Sequence, residues 1–424
     1  MNTTQVLFDV PIAAGHAATA RRLGVFDDNR HRPIHRWYSF VEGYSADLVA
    51  SALSEFPDAQ VILDPFGGSG TTALAAAEHG HDCFFSEVNP YLAWVADVKI
   101  NKARAAANSD AVADLASLAA ALTRGPVPLV DSEHPLIEAD RRRCFFPDGV
   151  AADALGALQL CEGCRPEVRD LAKLAVATSL IPASNMIRRT DLRKRRSGDP
   201  DPAPLLPLIA DQLRVFAHDI ETAGHTIGGQ AVQVGSDARS LPELDPSADL
   251  IITSPPYLNG TNYCRNTKLE LLALGFIPDE SDLADLRLAT IAAGINNISK
   301  KREDPTTMPE VETIACRLDE VAYDQRIPAM VRMYFSDMRR VAAAVRRSSR
   351  PAATWLLDIG DSRFCGINVP THELLAATAA LEGWLVESIE PLRTRRSYDG
   401  TELTQVLRAL ADWAVVGLPA VAVV

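Results

Sequence analysis

A serine, two prolines and a tyrosine follow one another directly after an apolar run in residues 249–260 (DLIITSPPYLNG). Proline has no backbone N–H to donate to a sheet, so a buried strand must end where the two prolines begin. Ligands of α/β proteins bind at such strand ends. The segment therefore predicts a ligand site at the tip of a strand.

A glycine-rich turn, residues 64–72 (DPFGGSGTT), joins another apolar run to an alanine-rich stretch that predicts a helix. Glycines let the backbone approach a ligand closely, and the start of the following helix supplies free N–H groups. The turn has no lysine after its last glycine, as a phosphate-binding P-loop requires, and it is not a G-x-G-x-x-G sequence. It therefore predicts a ligand loop of another kind.

Two carboxylates accompany this turn. Asp64 stands at the tip of the first predicted strand, and Glu87 ends the next one, at the distance downstream expected for an acid that binds a ribose. One acid would meet a cationic group and the other a pair of hydroxyls. S-adenosylmethionine offers both, through its α-amino group and its ribose, so we expect it as the cofactor.

The two segments together resemble a known family. The turn is similar to the F-x-G-x-G cofactor motif of the S-adenosylmethionine-dependent amino-group DNA methyltransferases, and residues 253–257 (TSPPY) resemble their catalytic motif in the form typical of cytosine-N4 enzymes. The resemblance implies a class I methyltransferase fold and transfer of a methyl group to an exocyclic amino group of a base. It covers the predicted sheet and leaves two segments, 108–228 and 278–322, uncovered.

The resemblance also implies the cofactor residues. The segment HRWYSFVEGYSADLV resembles the part of the family that closes over the methionine end of the cofactor, although packing of a helix capped by Ser45 explains it equally. The segment VGSDARSL resembles the motif whose acid contacts the adenine amino group, although an Asx turn is the alternative. The implied residues are Tyr44, Ser45, Asp64, Pro65, Phe66, Gly67, Gly68, Ser69, Gly70, Thr71, Thr72, Glu87, Val88, Asn89, Asp237, Ala238 and Thr253.

The implied catalytic residues are Ser254, Pro255, Pro256 and Tyr257. An exocyclic amine is a poor nucleophile because its lone pair is delocalised into the ring. The Ser254 hydroxyl and the Pro255 carbonyl can accept its hydrogens and make the nitrogen more tetrahedral, while the prolines keep the backbone stiff. Tyr257 can stack on a base that has been flipped out of the duplex, and the positioned amine then attacks the sulfonium methyl in line.

Other activities remain open to different degrees. Family members that act on adenine more often carry Asp or Asn in place of Ser254, which favours cytosine without excluding adenine N6. Cytosine-C5 transfer needs a Pro-Cys pair, and no cysteine in this chain follows a proline. An RNA base amino-methyltransferase is an alternative, whereas glutamine methylation usually requires Asn in place of Ser254. A non-catalytic binder conflicts with the intact acids and TSPPY residues.

The elements that would position these residues form an α/β pattern. Residues 61–107 read strand, helix, strand, helix, which predicts a doubly wound parallel sheet, and a hairpin of residues 384–393 with 412–418 would close it as a mixed sheet. We expect the N-terminal part of the catalytic domain at 1–107, a mostly helical insertion at 108–228 and the C-terminal part at 229–424. Within the last part, 278–322 predicts a long loop or small lobe.

Nucleic-acid contacts are expected in spite of a formal net charge of -13. That charge argues against a general nucleic-acid coat but not against a local basic groove. We expect the helical insertion to grip DNA, with 278–322 as a second candidate for base reading. The candidate contacts are Arg188, Arg189, Arg193, Lys194, Arg195, Arg196, Asn262, Tyr263, Arg265 and Lys268.

Composition limits the setting and the partners. The 424 residues include seven cysteines without a disulfide framework, and no signal peptide or membrane-spanning run is evident, so we expect a reducing cytoplasm. A single C-x-x-C at Cys161 and Cys164 has no second pair, so no metal is expected. DNA is the expected partner, together with a possible cognate restriction endonuclease. The sequence indicates neither the recognition site nor an oligomeric state.

Overall fold

The computed structural model of the protein describes residues 24–39, 43–124, 127–128, 133–188, 191–258, 263–299, 301–302, 304–396 and 400–412. Its strands, in chain order, are β1 (Val61–Asp64), β2 (Asp82–Ser86), β3 (Met186–Arg188), β4 (Leu192–Lys194), β5 (Ala231–Gly235), β6 (Ala248–Thr253), β7 (Ser349–Gly360), β8 (Ser362–Phe364), β9 (Ile367–Val369), β10 (Trp384–Arg396) and β11 (Glu402–Asp412). Its α-helices are α1 (Ala46–Glu55), α2 (Thr71–Glu78), α3 (Pro90–Asp97), α4 (Ala103–Ala107), α5 (Ala111–Leu122), α6 (Pro135–Arg143), α7 (Val150–Glu162), α8 (Pro166–Ala183), α9 (Leu205–Ala223), α10 (Tyr263–Asn266), α11 (Lys268–Ala273), α12 (Leu283–Ala289), α13 (Pro309–Val321), α14 (Arg326–Ser348) and α15 (Thr371–Ala380).

Seven strands form one sheet in the order β10-β11-β7-β6-β1-β2-β5. The neighbouring pairs from β5 to β7 are parallel, while β11 runs antiparallel to both β7 and β10. Parallel neighbours need crossover helices, and the alternation of strands and helices along the chain supplies them. The predicted α/β fold, a Rossmann-like doubly wound mixed sheet, is confirmed.

The strand order reverses beside β1. Its neighbours are β2, the next strand in the chain, and β6, which follows only after the long insertion. In the register of β1 and β6, Leu63 lies opposite Ile251, so the two strands end side by side. Such a switch point leaves a crevice at the carboxyl ends of the strands, and both motifs of the sequence begin there.

The two faces of the sheet are covered by different helices. Ile62 and Leu250 point to a hydrophobic cluster that includes residues of α1, α2 and α9. The neighbouring residues Leu63 and Ile251 point to a second cluster, with residues of α14 and α15. This alternation follows from the two-residue period of a strand, and it explains why these short strands are apolar throughout.

The insertion is helical and packs on the sheet. Helices α5 to α9 fall within the predicted segment 108–228, and β3 and β4 form a small antiparallel hairpin between α8 and α9. Leu115 of α5, Leu174 of α8 and Leu213 of α9 belong to the same hydrophobic cluster as the first face of the sheet. The insertion therefore shares a core with the sheet, and the boundaries at 107/108 and 228/229 stay predictions.

The segment 278–322 contains α12, α13 and short 3₁₀ turns. Arg302 fastens it to α14, because its guanidinium donates to the Asp337 carboxylate at 2.9 Å. The same carboxylate accepts from Arg239 at 3.0 Å and from the backbone N–H of Ala292 at 3.1 Å. These contacts hold residues that follow α12 against the end of the sheet.

The closing hairpin differs from the prediction in its second strand. β10 begins at Trp384, as expected, but it pairs with β11, where Trp384 lies opposite Asp412 and Arg396 opposite Glu402. The predicted partner, 412–418, lies outside the described residues apart from Asp412. Residues 402–411 (ELTQVLRALA) mix polar and apolar side chains without clean alternation, which concealed the strand.

Three further observations concern the described residues as a whole. Among them, no helix is both long and apolar enough to cross a membrane. The seven cysteines are all described, and each has a free thiol. No group of three or more His, Cys, Asp or Glu side chains in this part of the chain is placed to hold a metal ion.

Candidate active site

A cavity at the carboxyl ends of the strands brings the two motifs together. Its walls come from the glycine turn, the end of β2, the loop after β5, the TSPPY segment and the residues after α12. The lining residues are Pro65, Phe66, Gly68, Ser86, Glu87, Val88, Asn89, Leu92, Ser236, Asp237, Ala238, Ser254, Pro255, Pro256, Cys264, Ala289, Thr290, Ile291 and Asn297. Eight of the expected cofactor residues and three of the four expected catalytic residues thus border one space.

Asp64 lies behind the cavity and joins the two motifs. Its carboxylate accepts hydrogen bonds from the Thr253 hydroxyl at 2.6 Å, the Thr72 hydroxyl at 2.7 Å and the Phe66 backbone N–H at 3.0 Å. The side chain is 2% exposed, and burial raises its pKa in spite of these donors. The structure therefore shows Asp64 tying the glycine turn to the end of β6, while its contact with the cofactor stays a prediction.

The glycine turn needs glycine at two positions for steric reasons. A Cβ on Gly67 would lie 2.7 Å from Cδ2 of Phe85 in β2. Gly70 has a φ of 79°, and a Cβ there would lie 2.8 Å from the Cβ of Ala96 in α3. The turn thus packs tightly on its neighbours, and Ser69, Thr71 and Thr72 are buried behind it.

Glu87 links the glycine turn to the start of α3. Its carboxylate accepts from the backbone N–H groups of Gly68 and Asn89, both at 2.8 Å. Burial raises the pKa of Glu87 to about 7, and the two N–H donors oppose that shift. Asn89 caps α3 through its side chain and also donates to the Thr267 hydroxyl at 2.8 Å.

A buried lysine supports the turn from below. Lys99 lies in a π-helical turn, Val98–Lys102, and its ammonium donates to the carbonyl of Ser69 at 2.9 Å. Burial lowers its pKa to about 7. Lys99 was not predicted from the sequence, because a lysine after an apolar helix is typical of a solvent-exposed helix end.

Asp237 borders the cavity and is held by Arg239. Its carboxylate accepts from the Arg239 backbone N–H and guanidinium at 2.9 to 3.0 Å, which forms the turn expected as the alternative reading. Burial raises the pKa of Asp237, but the bonds from Arg239 outweigh that effect and leave it lowered. The carboxylate is therefore ionised at the cavity wall, and its contact with adenine remains a prediction.

Tyr44 and Ser45 lie behind the turn. The Ser45 hydroxyl accepts from the Leu48 backbone N–H and caps α1. The Tyr44 hydroxyl contacts that of Thr72 and reaches the Asp64 carboxylate at 3.3 Å. Neither residue borders the described cavity: Tyr44 contacts the turn, Ser45 caps α1, and their expected role at the methionine end stays a prediction.

The TSPPY segment presents Ser254 and the two prolines to the cavity. Tyr257 is 3% exposed and is not among the described lining residues. Its hydroxyl lies 3.3 Å from the Asp358 carboxylate and 2.9 Å from Nε2 of Gln405. Stacking of this ring on a base therefore requires a movement, and it stays a prediction.

Three of the arginines expected to contact nucleic acid from the insertion make contacts within the protein. Arg188 pairs with the buried Glu270, and its guanidinium lies 5.3 Å from the centre of the Tyr38 ring. Arg193 pairs with Asp199 at 2.6 Å. The third arginine, Arg195, donates to the backbone carbonyls of residues 184 and 200.

The remaining expected nucleic-acid residues differ in exposure. Lys194 and Arg196 are exposed at the hairpin of the insertion. Arg265 is about half exposed and pairs with Asp191, while Lys268 is largely buried and pairs with Glu280. Arg189 and Asn262 lie outside the described residues, as does the side chain of Tyr263.

Several lining residues were not expected from the sequence. They are Ser86, Leu92, Ser236, Ala289, Thr290, Ile291 and Asn297. Ser86 and Ser236 adjoin motif residues, so strand ends could have identified them. The four residues from 289 to 297 belong to no recognised motif, and tertiary contacts with Arg239, Arg302 and Asp337 hold their segment in place.

Comparisons with known proteins agree with this geometry. The chain is 24% identical over 423 residues to the type II methyltransferase M.AvaI of Nostoc sp. and, by the same figures, to that of Anabaena variabilis, covering 92% of this chain and 86% of each relative. It is 23% identical over 442 residues to the type II methyltransferase M.BsoBI of Geobacillus stearothermophilus, covering 90% of this chain and 85% of the relative.

No family model matches the chain. The similarity to the named methyltransferases nevertheless runs through nearly the whole length, including the insertion that the two motifs leave uncovered. The cofactor motif and the TSPPY segment border the same cavity, as the motif resemblance implies. The chain is therefore similar over nearly its whole length to type II methyltransferases, and its two motifs resemble those of the S-adenosylmethionine-dependent amino-group DNA methyltransferases.

Proposed function

We propose that this protein transfers a methyl group from S-adenosylmethionine to the N4 amino group of cytosine within a specific DNA sequence. The observation that carries the proposal is the single cavity bordered by Gly68, Glu87, Ser254 and Pro255. A methyl donor held by the first two residues and an amino group held by the other two would meet in that space. Holding both reactants in line is the main source of catalysis for such a transfer.

The cavity fits S-adenosylmethionine, which supplies an electrophilic methyl group when bound. Glu87 can accept hydrogen bonds from the two ribose hydroxyls. Val88, Ala238 and Ile291 provide apolar walls suited to the adenine ring. Ser86 borders the cavity, and its buried hydroxyl has no hydrogen-bond partner among the described residues.

The acceptors for the target amine are the Ser254 hydroxyl and the Pro255 carbonyl. Because neither Pro255 nor Pro256 has a backbone N–H, this part of the loop presents acceptors without competing backbone donors. An amine that donates to both acceptors has its lone pair directed toward the remaining space. The chain thus orients the nucleophile by hydrogen bonding.

The preference for cytosine rests on Ser254, where adenine enzymes of the family more often carry Asp or Asn. Adenine N6 in DNA is the first alternative and an RNA base the second. The relatives are named type II methyltransferases, and we extend from them the action on a short DNA sequence and a possible cognate restriction endonuclease. The base would have to leave the duplex, because its amino group is paired there.

The test is to express the protein in a host without DNA methylation and to analyse both nucleosides and sequence context. The proposal expects N4-methylcytosine, by mass spectrometry, at one short motif found by modification-sensitive sequencing. N6-methyladenine instead would support the first alternative. Unmodified DNA together with a newly modified RNA base would contradict the proposal and support the second.

A further inference from the structure

Tyr257, the tyrosine of the TSPPY segment, contacts two buried polar side chains, one in β7 and one in β11. The Tyr257 hydroxyl is 3.3 Å from Oδ2 of Asp358 in β7 and accepts from Nε2 of Gln405 in β11 at 2.9 Å. Gln405 also donates to Oδ1 of Asp358 at 2.7 Å. Asp358 is 1% exposed and Gln405 is fully buried, so the contacts among the three groups lie away from solvent.

Burying this network has a cost in the free energy of folding. A buried carboxylate and a buried amide lose the hydration of their polar atoms, and apolar residues would pack between β7 and β11 without that loss. Leu356 and Ala409, which pair across the same two strands, show that apolar residues are accepted there. The polar pair occurs where the strands pass Tyr257.

We propose that Asp358 and Gln405 are positioning residues that fix the Tyr257 ring and, through it, the acceptors Ser254 and Pro255. The inference rests on the proposed function. Pro255 and Pro256 have no backbone N–H, so the loop lacks two hydrogen bonds that could otherwise fix it to its surroundings. The side-chain hydroxyl of Tyr257, two residues after Pro255, fixes the loop through its contacts with Asp358 and Gln405.

The network has an outer end at an open cleft. Arg393 of β10 donates from Nε to Oε1 of Gln405 at 2.7 Å. The same arginine lines a cavity of about 660 Å³, together with Arg30 and Arg36. Arg393 thus fixes the orientation of the Gln405 amide, so that its NH₂ faces Tyr257 and Asp358.

The test compares variants that remove single groups at nearly constant shape. Tyr257→Phe removes the hydroxyl, Gln405→Met removes the amide, and a double variant removes both. Arg393→Met removes only the outer bond. The matched control is Tyr334→Phe, because Tyr334 is equally buried and its hydroxyl has no partner among the described residues.

We measure kcat with DNA, the Kd of S-adenosylmethionine, and hydrogen exchange of a peptide that contains the Tyr257 and Leu258 amides. Each single variant of the network should lower kcat by roughly tenfold to a hundredfold with the cofactor Kd nearly unchanged, since a misplaced acceptor costs catalysis rather than cofactor binding. The double variant should be no slower than the worse single variant, because both remove one linkage. Arg393→Met should have a smaller effect.

Exchange separates this inference from the proposed function. Tyr257→Phe and Gln405→Met should each increase exchange in that peptide, whatever the substrate, while Tyr334→Phe should leave both exchange and kcat unchanged. Unaltered exchange in a folded Gln405→Met protein, or losses that multiply in the double variant, would overturn the inference. If Gln405→Met fails to fold, Asp358→Asn takes its place with the same expectations.

Discussion

At the scale of the residue, each motif divides into side chains that face the cavity and side chains that hold them. Glu87 and Ser254 border the cavity, whereas Asp64 and Thr253 lie behind it and bond to each other. That bond crosses from β1 to β6 and links the glycine turn with the TSPPY loop. A substitution at the cavity wall should therefore change either cofactor binding or turnover. A substitution behind the wall, at Asp64 or Thr253, should impair both.

Replacing Ser254 by alanine should lower kcat by about a hundredfold, because one of the two acceptors that shape the amine is lost. The Kd of S-adenosylmethionine should change by less than about twofold, since the hydroxyl is expected to face the base rather than the donor. Filter binding and single-turnover kinetics measure the two quantities. Ser54→Ala, at an exposed serine of α1, is the control.

Cofactor affinity should depend on pH through Glu87. Its pKa is about 7 because burial disfavours the charged form, so about a tenth of the side chains are ionised at pH 6. If the carboxylate holds the ribose hydroxyls, the Kd of S-adenosylmethionine should fall by about tenfold between pH 6 and pH 8. Titration calorimetry of the parent and of Glu87→Gln tests this expectation.

The Gln variant should bind more weakly with a nearly flat pH profile. Lys99 is unchanged in that variant and its pKa is also about 7, so it can contribute to a remaining dependence. The sign for stability is opposite. A pKa raised above 4.5 means that the folded state binds the proton of Glu87 more tightly than the unfolded state does. The free energy of unfolding should therefore fall as the pH rises from about 4.5 through 7. If the Kd of S-adenosylmethionine depends on pH as strongly in Glu87→Gln as in the parent protein, Glu87 does not cause the dependence.

At the scale of the element, the site depends on strands that end together and on a turn that packs tightly. The paired ends of β1 and β6 place the turn beside the TSPPY loop. The turn itself fits between β2 and α3 only because Gly67 and Gly70 lack a side chain. The geometry of the turn should thus respond strongly to a single methyl group.

Gly70→Ala should destabilise the protein more than Gly80→Ala. Both glycines have a positive φ, 79° and 84°, which costs an alanine about 1–2 kcal/mol. At Gly80 the added methyl group meets no atom within 4 Å, whereas at Gly70 it would meet Ala96 at 2.8 Å. The steric conflict should add about 1–3 kcal/mol. Urea denaturation of the two variants gives the comparison, and equal losses would contradict the packing described for the turn.

Local patterns predicted the elements that carry the motifs and missed those defined by pairing. The apolar run at 61–63, the turn and the cap at Ser45 each follow from adjacent residues. By contrast, β11 has no local signal, because its buried polar residue Gln405 depends on hydrogen bonds to Asp358 in β7 and to Tyr257 in the loop after β6. Residues 289–297 reach the cavity through Asp337 of α14, a contact that no spacing in the sequence encodes.

At the scale of the whole molecule, an acidic protein has to present a local basic surface to DNA. The formal net charge is -13, and several expected contacts, including Arg188 and Arg193, are engaged with acids of the same chain. Lys194 and Arg196 are exposed at the hairpin of the insertion. They are the clearest candidates for phosphate contacts in the part of the insertion that the structure describes.

Replacing Lys194 and Arg196 together by glutamate should weaken DNA binding and reduce its dependence on salt. Two lost phosphate contacts should lower the slope of log K against log salt by about 2. Arg347→Glu is a matched control, since this exposed residue near the end of α14 lies beside the start of β7, opposite the cavity. Affinity and slope that match the control variant would show that the hairpin does not bind DNA.

The most direct measurement is a crystal structure of the protein with S-adenosylhomocysteine, the product of the proposed transfer. The sulfur atom should lie in the cavity between the glycine turn and Pro255, with the ribose at Glu87 and open space between the sulfur and the Ser254 hydroxyl. A ligand bound elsewhere, or one whose sulfur is separated from Ser254 and Pro255 by protein, would contradict the proposal that both motifs serve one methyl transfer.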